Sequence, residues 1–72
     1  MYGFFAEFGM RNGTLVQTCI NIGALRKGER LIYETVAYTP DGKDFVMEAY
    51  ESSWYAERGH VEWERFLGLR DR

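Results

Sequence analysis

The chain opens on strict alternation. Tyr2, Phe4, Ala6, Phe8 and Met10 share one face of an extended segment, and Gly3, Phe5, Glu7 and Gly9 share the other, the period-two pattern of a strand. Asn12-Gly13 follows at once. Asn-Gly is a strong hairpin signal, because both residues accept the positive φ of a type I′ turn. Thr14 to Ile22, rich in β-branched residues, is the returning strand. A two-residue loop sets Met10 against Leu15, Phe8 against Gln17, Ala6 against Cys19 and Phe5 against Ile20. A longer loop shifts the register by one residue and changes every pair.

Gly23 to Glu29 reads as a connector, with its turn at Arg26-Lys27-Gly28-Glu29. Leu31 to Tyr38 is a third strand, with Tyr33 and Thr35 on one side and Ile32, Glu34, Val36 and Tyr38 on the other. Thr39-Pro40-Asp41-Gly42 predicts a tight turn, since proline pre-sets its own φ and glycine accepts the left-handed region. Asp44 to Tyr50 is the fourth strand. After it the period changes from two to 3.6. Ser52 or Ser53 supplies a cap, and Ala56, His60, Trp63 and Leu67 form one stripe, with Gly59 and Phe66 at its edge. Gly59 marks a close approach of helix to sheet, and Gly68 ends the helix before an Arg70-Asp71-Arg72 tail. The pattern predicts an α+β fold: a four-stranded antiparallel meander with one C-terminal helix packed on one face.

Size narrows the picture. Seventy-two residues make one domain, and a chain this short buries only about 60% of its unfolded surface. Such domains gain stability from cross-links, metals or partner subunits. Cys19 is the only cysteine and His60 the only histidine, so an internal disulfide and a zinc-finger type of metal site are both excluded. Tight packing or oligomerisation remains, and an aromatic content of 17% serves either. Both faces of the first hairpin are partly apolar while one helix covers one face, which predicts a homodimer through the other face or the sheet edge. The net charge of −2 argues against a binder of nucleic-acid phosphates. No apolar run reaches the length of a membrane span, and the first residues lack the basic region and cleavage site of a signal peptide. The expected setting is the cytoplasm.

Candidate chemistry is sparse. His60 lies in the apolar stripe, where a packed, hydrogen-bonded structural histidine is the expectation. A Cys19–His60 nucleophilic pair would need an orienting group and an oxyanion site, and neither is readable. Glu34 and Glu48 lie in neighbouring strands and would suggest acid–base work if they faced each other inward; a solvated sheet face is the plainer reading. Tyr33, Tyr38 and Tyr50 stand on strands as base-stacking tyrosines do, but without the basic signature they read as core or interface. Trp54 and Val61, beside Arg58 and Arg65 on the outer helix face, have the composition of an interface anchor and its rim.

Four segments resemble a group of short uncharacterised proteins carried by phages and prophages: Thr18-Cys19-Ile20-Asn21-Ile22-Gly23, Tyr33-Glu34-Thr35-Val36-Ala37-Tyr38, Glu48-Ala49-Tyr50 and Ala56-Glu57-Arg58-Gly59-His60. The Glu-Thr strand and the Ala-x-x-Gly-His helix carry most of the likeness. The chain departs from that pattern at Ala24-Leu25-Arg26, where the group has Asp-His, and in its aromatic first strand. The resemblance implies a mobile-element origin and brings no activity with it. The expected function is therefore non-enzymatic: an accessory protein without cofactor or metal that binds and blocks a host protein, as anti-defence inhibitors such as anti-CRISPRs do. Trp54, Arg58, Val61 and Arg65 are its expected contact residues. The alternative is a small-ligand binder, such as a nucleotide-signal sponge, with Tyr33, Tyr38, Arg58 and His60 around a pocket between subunits.

Overall fold

A computed structural model describes the backbone of residues 2–71 and the side chains of residues 6–68. Four strands, β1 (Tyr2–Gly9), β2 (Leu15–Asn21), β3 (Tyr33–Tyr38) and β4 (Asp44–Tyr50), form one antiparallel sheet in the order β1-β2-β3-β4. A short helix α1 (Ile22–Arg26) follows β2, and α2 (Ser53–Asp71) closes the chain across β2, β3 and β4. The α+β meander with its C-terminal helix is the fold that the periodicities predict. The alternation expected for the side chains of residues 2–5 lies outside the described residues.

The first hairpin takes the longer loop. Phe8 pairs with Val16, Glu7 with Gln17 and Ala6 with Thr18, one residue away from the register of a two-residue loop. The reason is local. A type I′ turn needs positive φ at both central residues, and only Gly13 has it, at 89°. Asn12 instead uses its side-chain oxygen to accept from the Thr14 amide at 2.9 Å, while the Met10 amide donates to the Thr14 carbonyl at 2.8 Å. Further along β1 the pairing shifts again between Phe4 and Ala6, and β4 carries a matching irregularity, since Thr35 pairs with Glu48 but Val36 with Val46. The Pro-Asp-Gly turn forms as read, with Gly42 at φ 86° and its amide bonded to the Thr39 carbonyl at 3.0 Å.

Two helical boundaries differ from the sequence pattern. The connector contains α1, whose first turn is capped by Asn21 accepting from the Ala24 amide at 3.1 Å. At five residues α1 is too short for a helical period to show. Gly68 does not end α2, which runs through Asp71; an interior glycine costs only about 1 kcal/mol, and no proline follows it. Of the expected tail, Arg72 lies outside the described residues. At its start, Ser52 is the cap, its hydroxyl accepting from the Tyr55 amide at 3.4 Å.

On α2, Ala56, Gly59 and His60 are buried, whereas Trp63 and Leu67 are half-buried and Phe66 is exposed. At 1.5 Å per residue, α2 is about 28 Å long, and strands of six or seven residues span only about 20–24 Å. The first half of the helix is therefore the docked half. Docking is close: a Cβ added to Gly59 would overlap the ring and hydroxyl of Tyr50.

Gly59→Ala tests this contact. Helix propensity alone predicts a gain of about 1 kcal/mol, whereas overpacking against Tyr50 predicts a loss of about 1–3 kcal/mol. Denaturant unfolding should show the loss; a stabilised variant would mean that the helix stands off the sheet.

Candidate functional site

Beneath α2 the core is polar. Thr18 and Thr35 are paired across β2 and β3, and both are fully buried. Threonine suits the position twice, as a β-branched strand former and as a hydroxyl that both donates and accepts. Their Oγ1 atoms lie 2.6 Å apart. Thr18 Oγ1 also lies 2.6 Å from Nδ1 of His60, which the close approach at Gly59 lowers onto the sheet. On the other side, Thr35 Oγ1 is 2.9 Å from the Tyr50 hydroxyl. That hydroxyl donates to Oε1 of Glu48 at 3.0 Å, and the Trp63 indole N–H donates to the same oxygen at 3.0 Å. A continuous chain thus runs from His60 through Thr18, Thr35 and Tyr50 to Glu48.

No buried side-chain nitrogen or oxygen among the described residues lacks a partner. Satisfaction of this kind is what makes a polar core tolerable, since one orphaned buried group costs about 1–3 kcal/mol. The His60 ring also meets the Phe8 ring edge-on, with centroids 5.4 Å apart. Burial holds the imidazole below its ordinary pKa, against an upward pull from the Glu64 carboxylate. Burial above all, with the Glu48 carboxylate adding to it, pushes the Tyr50 phenol up to about 12.

His60 is therefore a packed and hydrogen-bonded histidine, as its place in the apolar stripe suggests. It does not meet Cys19. Thr18 bonds to His60, and its neighbour in the strand projects to the opposite face of the sheet. There the Cys19 thiol contacts the Glu34 carbonyl at 3.8 Å, and burial, reinforced by Glu34, raises its pKa away from the reactive thiolate. Glu34 and Glu48 are separated in the same way. Glu34 pairs with Ala49 and Glu48 with Thr35, so the two carboxylates occupy opposite faces, and Glu34 accepts instead from the Asn21 amide at 3.3 Å.

The outer strip of α2 is assembled as the helical spacing requires. Trp54 is 57% exposed and Val61 43% exposed. The Arg58 guanidinium sits 4.8 Å from the centre of the Trp54 ring, a cation–π contact, and Tyr55 meets that ring edge-on at 5.0 Å. Arg58, Val61 and Arg65 line a shallow groove of about 300 Å³ with Glu57 and Glu62. Tyr33, Tyr38, Arg58 and His60 do not converge. Tyr33 lies in register with Tyr50 on the helix-covered face, Tyr38 on the reverse face, His60 beneath the helix and Arg58 outside it. A pocket made from all four would have to be assembled across subunits.

Among the described residues no group of three or more His, Cys, Asp or Glu is placed to hold a metal ion, and no helix is long and apolar enough to cross a membrane. In comparisons with known proteins, no family model, curated sequence or solved structure matches this chain. Two features stand out in the fold, the inner hydrogen-bond chain and the outer aromatic strip.

The shifts of His60 and Tyr50 bear on stability through proton linkage. His60 prefers to be neutral in the fold, so its contribution is complete above the unfolded pKa of 6.5 and is lost as pH falls through and below that value. Tyr50 also prefers to be neutral, so its contribution is complete below the unfolded pKa of 10.0 and declines as pH rises from there towards about 12. Thermal midpoints across pH should show a plateau between these limits. In Tyr50→Phe the alkaline decline should shrink; an unchanged decline would assign it to other tyrosines.

Proposed function

We propose that this protein is a non-enzymatic binding module of a mobile genetic element, which acts in the host cytoplasm by occupying a host protein through the outer face of α2. One observation carries the reading: Trp54 stands more than half exposed, with the Arg58 guanidinium stacked on its ring. Leaving a tryptophan in water forfeits about 2–3 kcal/mol of apolar burial, and tryptophan and arginine are the residues that most often dominate an interface. The stripe continues through Val61 to Arg65, so an elongated surface with acidic groups beside an apolar cleft is the complementary partner. The resemblance of the Glu-Thr strand and the Ala-x-x-Gly-His helix to phage-borne proteins supports the mobile-element setting.

Self-association belongs to the same reading. Val46, on the sheet face away from α2, is 59% exposed, and pairing of that face in a homodimer would cover it while leaving the α2 strip outward.

Trp54→Ala is the discriminating variant. The side chain is more than half exposed and rests on Arg58 and Tyr55 of its own helix, so the melting temperature should hold. Capture of a stoichiometric partner from a bacterial lysate on immobilised protein should fall by about tenfold or more, the equivalent of about 1.4 kcal/mol. Arg65→Glu should slow association and reverse its salt dependence. If Trp54→Ala captures the same partner equally well, the outer strip is not the binding surface. Native mass spectrometry of the wild type reads the subunit count in parallel.

A further inference from the structure

The inner chain has a direction, and that direction can be deduced by counting protons. The Trp63 indole N–H can only donate, so Oε1 of Glu48 is an acceptor at the end where Trp63 and Tyr50 converge on it. The phenol of Tyr50 has one proton, and it points at Glu48. Tyr50 must then accept from Thr35 across the 2.9 Å contact. Thr35 has now used its own proton and accepts from Thr18 across 2.6 Å. Thr18 has used its proton in turn, so at the last 2.6 Å contact only His60 Nδ1 is left to donate. Each link forces the next.

We propose that Glu48 sets the polarity of this chain and thereby fixes His60, four hydrogen bonds away, as the Nδ1–H tautomer. Nε2 is then the unprotonated ring nitrogen, the atom that takes a proton or accepts from an incoming donor. Anchoring Nδ1–H through hydrogen bonds to a carboxylate is a common way to orient a histidine whose Nε2 reacts or binds. The far end is open to influence. Glu48 lines a shallow groove of about 300 Å³ with Glu62, Trp63 and Phe66, so a change of donor or acceptor at that groove is transmitted to the ring beneath the helix. The groups packed around His60 add one further charge. Phe8 of β1 and the threonines of β2 and β3 carry no charge. β4 supplies Tyr50 and Glu48, which are the chain itself. On α2 the nearby charge is Glu64, which favours the imidazolium.

The test is spectroscopic and unambiguous in assignment, because His60 is the only histidine. A long-range ¹H–¹⁵N correlation of the ¹⁵N-labelled full chain, recorded above the ordinary histidine pKa, should show a protonated, pyrrole-type Nδ1 and a pyridine-type Nε2. An Nε2–H pattern, or the averaged signals of a ring exchanging between tautomers, would overturn the proposal in the wild type with no variant needed. Glu48→Lys supplies the second arm. Glu48 is exposed, and an ammonium at that end donates where the carboxylate accepted. Every link should reverse, and the pyrrole-type signal should move from Nδ1 to Nε2. A folded Glu48→Lys protein that keeps the wild-type pattern would show that Glu48 does not govern the ring.

Discussion

The contact between the backbone of Gly59 and the ring of Tyr50 is the constraint on which the rest depends. Any side chain at residue 59 would overlap the phenol. Without one, α2 settles low enough for His60 Nδ1 to reach Thr18 at 2.6 Å. The same approach seals Thr18 and Thr35 from water and buries Ala56 completely. A helix held an ångström or two higher would break the His60 contact, since hydrogen bonds weaken steeply beyond about 3.2 Å. It would also admit water to hydroxyls that are now satisfied only by each other. The polar chain and the small-residue contact are two descriptions of one docking geometry.

This arrangement inverts the usual division of labour on an amphipathic helix. The buried face of α2 presents alanine, glycine and histidine, while Trp54, Tyr55, Val61 and Phe66 are among the large exposed side chains. Among the described residues, the buried apolar ones are small for the most part: Val16, Cys19, Ala24, Val36 and Ala56, with Tyr50 the one large ring. Apolar burial alone is a thin source of stability for a domain of this size. Directional bonds supplement it, and they carry an asymmetry: a complete network is tolerated, but one with a link removed leaves its neighbours unsatisfied. Substitutions at Thr18 or Thr35 are therefore expected to act on their neighbours as much as on themselves.

Much of the fold was legible because the local signals agreed. Alternation fixed the strand content, the Pro-Asp-Gly turn formed at Gly42, and the change of period after Tyr50 marked α2. The register of the first hairpin was hidden, because Asn12 can serve either as a turn residue or as a side-chain cap, and only the folded loop selects the second role. Gly68 read as a stop signal, yet nothing beyond it opposed continuation. At the site, Gly59 and His60 were legible from the helical stripe. Thr18, Thr35, Tyr50 and Glu48 were not, since their meeting depends on cross-strand register, which sequence spacing leaves open.

The two faces of α2 are also connected by physics. A helix held by apolar packing alone can slide by fractions of an ångström at little cost, because dispersion contacts are non-directional. One held also by hydrogen bonds from His60 and Trp63 to the sheet, at two positions along its length, is fixed in rotation as well as in height. Rotation decides what the outer face displays. The Trp54–Arg58–Val61–Arg65 stripe then points in one direction, with the Trp54 ring further restrained between Arg58 and Tyr55. Surface anchors ordered before a partner arrives lose less conformational freedom on binding. The buried chain thus does for the outer strip what an apolar core does in a larger domain: it sets the orientation in which the surface is presented, and a break at Thr18 or Tyr50 would reach the outer side without touching any residue on it.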